Sequence, residues 1–212
     1  MSREKIRIYD KTWKEYDEWY DSHQPLYQSQ IKVLKKIVPS GLGIEIGVGT
    51  GRFAALLSVQ FGLDPSLNML KLAKQRNVKV VRGFGENLPF KNESFNFVLI
   101  VYTIELVDDP LSFLKEALRT LKRKGVLILG ILDKNSSWGK FYMQKAAQSK
   151  YYKTFHFFSP EEILKIFKKL PLVSKVAFQT QFCPPPDIKD IEKPKKGFGQ
   201  GGFVVFKAIK TQ

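Results

Sequence analysis

Cysteine and histidine are scarce in this 212-residue sequence, which has one cysteine, Cys183, and two histidines, His23 and His156. One cysteine excludes an intramolecular disulfide framework and a thiolate zinc cluster, and two distant histidines lack the spacing of a metal centre. No segment reaches the roughly 18 consecutive apolar residues of a membrane span, and the N-terminus lacks the apolar stretch of a signal peptide. We therefore expect a soluble, cytoplasmic protein with no metal site and no membrane insertion.

Arginine is also scarce, although the formal net charge is +15. Only 7 of the 35 cations are arginine, and the charge is uneven, at +2 over residues 1–110 and +13 over residues 111–212. A basic surface favours an anionic partner such as RNA or a membrane, but nucleic-acid sites tend to use arginine for its forked geometry. We favour solvated, lysine-rich helix faces over a nucleic-acid site, which stays open as the second interpretation.

Seven apolar or β-branched runs predict strands, and helix-type segments separate the first five. This alternation is typical of a parallel sheet with crossover helices on both faces. A Pro/Gly/Lys-rich loop over residues 183–202 joins the last two runs, which predicts an antiparallel pair at one edge of the sheet. We expect one α/β domain with a seven-stranded, mostly parallel sheet, whose strands lie near residues 43–47, 58–64, 77–83, 95–102, 125–132, 173–181 and 202–210.

Several helices have chemically marked boundaries. Asp109-Pro110 supplies an N-cap and a first-turn proline for a helix that Gly125 ends. Residues 159–162 form a capping box at the start of a later helix. A helix over residues 28–38 carries its apolar side chains on one face and ends just before the first strand.

A glycine-rich turn follows the first predicted strand. Gly47, Gly49 and Gly51 stand at alternate positions, with the acid Glu45 two residues before the first of them. Glycine has no Cβ and tolerates positive φ, so such a turn lets the backbone approach a nucleotide at the switch point of a parallel sheet. A tight structural turn is the alternative interpretation.

An acidic residue, Asp64, ends the second predicted strand, 17 residues after Gly47. A carboxylate at this place can accept hydrogen bonds from both hydroxyls of a ribose. The alternative is an N-cap for the following helix, a role that Ser66 could serve equally well. We favour the ribose interpretation because the fold predicts an acid at this position.

The turn from Glu45 to Gly51 resembles the cofactor motif of the class I S-adenosylmethionine-dependent methyltransferases. Further segments match that family in order, from about Tyr9 to Lys210: Asp64 and residues 83–90, 94–98, 114–125 and 157–161. Together they resemble the small-molecule branch often described as UbiE-like. The resemblance implies a Rossmann-like fold, S-adenosylmethionine as cofactor, and in-line transfer of a methyl group.

The resemblance also implies roles for single residues. Glu45 and the glycine loop would hold the methionine part of the cofactor, and Asp64 would hold the ribose. Phe84 stands where relatives usually place an acid for the adenine amino group, so that bond is expected to be absent or moved to Glu86. The expected cofactor-binding residues are Glu45, Gly47, Gly49, Gly51, Asp64, Gly85, Glu86, Tyr102 and Thr103.

Acceptor recognition is expected from segments over the strand ends. Tyr9, Trp13, Tyr16 and Tyr20 share one face of a predicted N-terminal helix, which either anchors that helix or forms a lid over the acceptor. The aromatic segment after the fifth strand is expected to close the other side. The expected substrate-binding residues are Tyr16, Tyr20, Glu105 and Trp138, and the candidates for a catalytic role are Glu105, His156 and Tyr20.

We predict a single methyltransferase domain over residues 1–212. It would comprise an N-terminal helical cap (1–40), a cofactor-binding core (41–134), an aromatic substrate-capping insertion (135–158), and a C-terminal helix with an antiparallel strand pair (159–212). The predicted activity is methyl transfer from S-adenosylmethionine to a small-molecule acceptor. RNA or protein methylation and a non-catalytic cofactor-binding protein are the alternatives.

Overall fold

A single mixed sheet forms the centre of the computed structural model, which describes residues 3–185 and 188–211. Over those residues its strands lie in the order β3-β2-β1-β4-β5-β8-β6-β7. β1 to β5 run parallel, and β8 lies antiparallel to both β5 and β6. The strands are β1 (Gly43–Ile46), β2 (Phe61–Asp64), β3 (Lys79–Arg82), β4 (Phe95–Val101), β5 (Leu121–Leu132), β6 (Leu172–Thr180), β7 (Lys195–Lys196) and β8 (Phe203–Lys210).

The α/β fold with a mostly parallel sheet is confirmed, with one difference in strand count. The described residues form eight strands rather than seven, because the two-residue β7 within the predicted 183–202 loop pairs with β6. The antiparallel pairing of the last two long strands is confirmed, and β8 inserts between β5 and β6.

Helices cover both faces of this sheet. They are α1 (Arg3–Lys11), α2 (Trp13–Ser22), α3 (Gln24–Ile37), α4 (Arg52–Leu56), α5 (Leu67–Gln75), α6 (Pro110–Thr120), α7 (Ser137–Lys145) and α8 (Pro160–Phe167). Side chains of β4 alternate between the two cores: Val98 and Ile100 pack on one face, and Phe97 and Leu99 on the other. The continuous apolar run of β4 is therefore explained by burial on both sides.

The predicted caps are present. Asp109 accepts hydrogen bonds from the amides of Leu111 and Ser112, both at 3.1 Å, and Ser159 forms the capping box with Glu162. The helix that begins at Pro110 ends at Thr120, not near Gly125, because Leu121 already pairs with Phe95 as the first residue of β5.

The N-terminal aromatic stripe lies on two helices rather than one. α1 ends at Lys11 and α2 begins at Trp13, with Thr12 between them outside helical geometry. The Thr12 hydroxyl donates a hydrogen bond to the Ile8 carbonyl at 2.8 Å, which the Thr12 amide also reaches at 3.0 Å, and such a side-chain bond often bends a helix. The break lets α1 lie against α5, while α2 continues toward α3.

The carboxyl ends of the parallel strands face this N-terminal segment. β1 lies between β2 and β4, so the turn after β1 stands where the strand order reverses. No helix in the described part of the chain combines the length and apolar character needed to cross a membrane.

Candidate functional site

The turn after β1 places three glycines in the left-handed region, at φ of +76° for Gly47, +52° for Gly49 and +81° for Gly51. A Cβ at Gly47 would lie 2.1 Å from the Thr103 hydroxyl oxygen, and one at Gly51 would lie 2.9 Å from Ala73. At Gly49 the nearest neighbour would be the Tyr16 ring, 3.7 Å away. Gly47 and Gly51 therefore permit close packing within the protein, whereas Gly49 opens onto a cavity.

Asp64 connects the end of β2 to this glycine loop. Its Oδ2 accepts a hydrogen bond from the Gly49 amide at 3.0 Å, and its Oδ1 accepts one from the Ser66 amide at 2.8 Å. Ser66 is the N-cap of α5, since its hydroxyl accepts from the Met69 amide at 3.3 Å. Burial raises the pKa of Asp64 to about 6, although the two amide hydrogen bonds act in the opposite direction.

Glu45 lies beneath the loop with only 1% of its surface exposed. Burial raises the pKa of its carboxyl well above the ordinary value. Its Oε2 finds no hydrogen-bond partner within the described chain. An unpartnered buried oxygen of this kind fits a ligand that brings its own hydrogen-bond donor, but Glu45 itself is not among the residues that line the cavity.

A cavity extends from the glycine loop under the N-terminal helices and encloses about 1320 Å³ of empty space, part of it open to solvent. Two acids, Glu15 and Asp64, line it, and no lysine, arginine or histidine does so among the described residues. Its wall brings together eight of the predicted site residues: Gly47, Gly49, Asp64, Tyr102, Thr103, Tyr16, Tyr20 and Trp138.

Aromatic rings form most of the far part of this cavity, which we call the aromatic chamber. From the N-terminal side it is lined by Tyr16, Trp19 and Tyr20, and the hydroxyls of Tyr16 and Tyr20 lie 3.0 Å apart. Burial raises the pKa of both phenols well above 10, so both stay protonated at neutral pH. From the opposite side it is lined by Trp138, Tyr142, Tyr152 and Phe155.

Tyr102 joins the glycine loop to the aromatic chamber. It stands directly after β4 at φ of +53°, a left-handed conformation that is uncommon for a bulky residue. Its hydroxyl accepts a hydrogen bond from Gln30 Nε2 at 2.9 Å. The next residue, Thr103, contacts Gly47, so the chamber begins beside the loop.

An ion-pair network fastens α2 to the glycine loop. Asp17 accepts hydrogen bonds from Arg52 at 2.9 and 2.7 Å and from Arg76 at 2.8 and 2.7 Å. Arg76 also donates to the Thr50 carbonyl at 2.7 Å. Burial alone would raise the pKa of Asp17, but the hydrogen bonds from Arg52 and Arg76 outweigh it and hold that pKa well below its ordinary value. No sequence pattern had indicated this network.

A second attachment holds α1 over the same region. Asp10 accepts hydrogen bonds from the Ser66 hydroxyl at 2.6 Å and from the Asn68 amide at 3.0 Å, at the N-terminus of α5. The two attachments tie α1 to the N-terminus of α5 and α2 to the helix that follows the glycine loop, and side chains of both helices line the cavity.

Other predicted residues lie outside the cavity wall. Gly85 packs against the Phe113 ring, since a Cβ at Gly85 would lie 2.2 Å from it. Glu86 is half-buried. The Glu105 side chain is fully buried below the wall, where its Oε1 accepts from the Leu132 amide at 3.1 Å and burial raises its pKa to about 8. His156 is exposed, and its backbone amide donates to the Glu105 carbonyl at 2.8 Å.

Among the cavity residues that sequence reasoning missed are two buried amides, Gln30 on α3 and Gln181 after β6, each 2% exposed. Gln30 falls between Tyr27 and Leu34 at helical spacing, on the buried face of α3. A lone amide on an apolar helix face was the available signal. Gln181 directly follows β6 and carried no such signal.

A parallel sheet with a glycine loop after β1 and an acid after β2 defines a nucleotide-binding enzyme core, and the comparisons specify the family. A family model described as "Methyltransferase domain" matches residues 44–129. The chain is 42% identical to the uncharacterized protein MJ1123 of Methanocaldococcus jannaschii, over 97% of this chain and 100% of that protein. It is 30% identical to the demethylmenaquinone methyltransferase of Staphylococcus haemolyticus, over 82% of this chain and 76% of that enzyme.

A solved structure gives the same result. The crystal structure of an S-adenosylmethionine-dependent methyltransferase of Thermotoga maritima, described as a possible histamine N-methyltransferase, superposes with a TM-score of 0.94. The two chains are 42% identical, over 97% of this chain and 99% of that one. The chain belongs to the class I S-adenosylmethionine-dependent methyltransferases, and S-adenosylmethionine is its cofactor.

Proposed function

We propose that the protein methylates the nitrogen of a small amine held in the aromatic chamber. The supporting observation is the composition of the cavity wall. The cavity extends from the glycine loop to a wall of aromatic rings, and no basic side chain lines it among the described residues. Ring faces attract cations, and Asp64 on the wall favours positive over negative charge, whereas Glu15 is exposed and paired with Lys150. The description of the Thermotoga protein as a possible histamine N-methyltransferase supports the same class of acceptor.

The chain's own residues fit the cofactor. Asp64 would accept hydrogen bonds from the ribose hydroxyls, and the free Oε2 of Glu45 would accept one from the methionine part. The space in front of Gly49 leaves room for the ligand against the loop backbone. Gly85 and Glu86 follow β3 and would border the adenine. The end of β3 lies beside Asp64, because the Gly83 amide donates a hydrogen bond to the Asp64 carbonyl.

When bound, the cofactor supplies an electrophilic methyl group on a sulfonium. The protein must align the acceptor nitrogen with that methyl and keep water out. Tyr102 and Thr103 stand where the loop meets the chamber, and Tyr16 lies over Gly49, so these side chains would border the reacting atoms. Positive charge moves onto the nitrogen during transfer, and the surrounding rings stabilise it there.

The basic second half of the sequence favours RNA or protein as the alternative acceptor. A phosphate backbone entering this cavity would meet the Asp64 carboxyl, and the described wall itself has no cation, since Lys150 pairs with Glu15 from outside it. The N-terminal helices also cover the cavity and are tied down by Asp17 and Asp10. Both observations favour a small acceptor over a polymer.

The test is turnover over a matched panel of acceptors. The protein would be incubated with S-adenosylmethionine and, separately, with small aromatic amines such as histamine and 2-phenylethylamine, size-matched carboxylates, bulk RNA and a protein mixture. We expect S-adenosylhomocysteine and an N-methylated product, in equal amounts, from an amine. Turnover confined to RNA or protein, with a steep decrease at higher salt for RNA, would overturn the proposal.

A further inference from the structure

Gln30 has an unusual hydrogen-bonding state in the chamber wall. It is 2% exposed and lines the cavity, and its Nε2 donates to the Tyr102 hydroxyl at 2.9 Å. Its Oε1 is buried and has no partner within the described chain. A buried carbonyl oxygen without a donor is destabilising, and native proteins seldom retain one without a function.

The rest of the wall explains why this oxygen matters. Leu26, Val101 and Leu132 surround the chamber with apolar surface, and the phenols of Tyr16 and Tyr20 already lie within hydrogen-bond distance of each other. The Gln30 oxygen is thus an acceptor fixed in place by Tyr102 and without a donor of its own. Gln30 lines the same cavity as Gly47 and Gly49 of the cofactor loop.

We propose that Gln30 Oε1 accepts a hydrogen bond from the N–H group of the acceptor amine and orients its lone pair toward the methyl group. The inference rests on the proposed function. The amine, an ammonium in solution, releases one proton to solvent before it reacts. In the transfer, the lone pair of the neutral nitrogen forms a bond to the methyl carbon while the carbon–sulfur bond breaks, and that bonding pair stays on sulfur. The nitrogen becomes positively charged and later loses a proton to solvent.

This charge change makes the contact catalytic as well as selective. A hydrogen bond from a cationic N–H is about twice as strong as one between neutral groups. The bond to Gln30 therefore strengthens between the bound amine and the transition state, and such differential binding raises kcat. The same contact selects acceptors that carry an N–H and disfavours carboxylates, whose oxygens would face the Gln30 oxygen.

The test compares two ligands of equal charge on protein saturated with S-adenosylhomocysteine. The first probe is 2-phenylethylammonium, and the second is N,N,N-trimethyl-2-phenylethylammonium, which has the same ring and charge but no N–H. Calorimetry would measure both on the wild type, on Gln30→Leu and on Gln30→Glu. Gln28→Leu, on the same helix but outside the cavity wall, is the matched control.

We expect Gln30→Leu to weaken 2-phenylethylammonium about tenfold, the loss of one charge-assisted hydrogen bond, and to leave the trimethylated probe and S-adenosylhomocysteine unchanged. Gln30→Glu keeps an acceptor oxygen and should bind 2-phenylethylammonium at least as tightly as the wild type. This second variant keeps the test decisive even where Gln30→Leu fails to fold. Equal weakening of both probes, or of neither, overturns the role of Gln30 while the amine function stands. Failure of the wild type to bind either probe overturns the amine function itself.

Discussion

The Asp64 carboxylate accepts a hydrogen bond from the Gly49 amide at 3.0 Å, so the acid after β2 and the turn after β1 form one connected unit. With Ser66 acting as the cap of α5, the second oxygen of Asp64 only closes a short turn onto the Ser66 amide. This arrangement leaves the remaining lone pairs of Asp64 available to a ligand in the cavity.

Substitution of Asp64 should impair cofactor binding more than stability. Asp64→Ala removes the proposed ribose hydrogen bonds, each worth roughly 1.5–3 kcal/mol, so S-adenosylhomocysteine affinity measured by calorimetry should fall at least about tenfold. Asp64→Asn should also bind more weakly, with nearly unchanged stability of the ligand-free protein. Asp109→Ala is the matched control, since loss of that cap should lower stability by about 1 kcal/mol and leave affinity intact. Unchanged affinity in both Asp64 variants would contradict the ribose assignment.

The raised pKa of Asp64, about 6 in the ligand-free protein, predicts how cofactor binding depends on pH. In the proposed ribose contact the hydroxyls would donate to the ionised carboxylate, so binding below that pKa would require loss of the Asp64 proton. The affinity for S-adenosylhomocysteine should therefore be constant above about pH 7 and fall progressively as the pH drops through 6. The Asp64→Asn variant should show a flatter profile. Parallel profiles for the two proteins would mean that another group controls the dependence.

Two glycines of the loop should respond differently to alanine. Gly49→Ala places a methyl group in the cavity and should abolish or severely weaken cofactor binding, with a loss of about 1–2 kcal/mol of stability from the positive φ. Gly51→Ala drives its Cβ against Ala73 and should destabilise the protein further. Its effect on affinity, measured on the folded fraction, should be smaller than that of Gly49→Ala. The reverse order of affinities would be inconsistent with Gly49 facing the ligand.

The network around Asp17 predicts a contrast with its neighbour. Asp17→Asn leaves the two arginines without their shared carboxylate, and the free energy of unfolding in urea should fall by about 2–3 kcal/mol. Asp21 also pairs with Arg52, but its side chain is 60% exposed. Asp21→Asn should therefore cost less than about 1 kcal/mol. Similar losses in the two variants would argue against a stabilising role specific to the buried carboxylate.

Glu105 should make the protein less stable as the pH rises. Its pKa is about 8 in the folded state against 4.5 ordinarily, so between these values the folded chain keeps a proton that the unfolded chain has lost. The free energy of unfolding should therefore decrease from pH 4.5 to about pH 8 and then level off. Glu105→Gln imitates the protonated side chain and keeps an acceptor for the Leu132 amide. The free energy of unfolding of Glu105→Gln should exceed that of the wild type by an amount that grows over that range to a few kcal/mol. A difference that does not change with pH would contradict the raised pKa of Glu105.

The sequence was sufficient for the features that local chemistry determines. Alternating strand and helix patterns located the parallel sheet, and Asp109 and Ser159 marked helix starts because a cap depends on residues only three positions apart. The glycine loop and Asp64 were identifiable because their spacing follows from the strand–turn–helix geometry. Gly51 shows the limit of that reasoning, since its place in the motif did not reveal that it packs on Ala73.

The aromatic chamber was only partly accessible to prediction. Tyr16, Tyr20 and Trp138 were expected near the acceptor from their aromatic stripes, but Gln30 and Gln181 come from elements about 150 residues apart that only the folded sheet brings together. The partnership of Asp17 with Arg52 and Arg76 depends on the same kind of long-range contact. The break at Thr12 lies within a strong helical pattern, which concealed it.

The separation of charge between surface and cavity has a kinetic consequence. The formal net charge is +15, yet none of the described cavity wall is cationic. An amine acceptor of the proposed kind, positively charged in solution, would approach against the field of the whole molecule, and salt screens that repulsion beyond a Debye length of about 8 Å. Its association rate constant should rise with ionic strength, opposite to the behaviour of a nucleic-acid ligand. The net charge of the protein surface would thus influence the association rate constant of such an acceptor, and the cavity wall its dissociation rate constant.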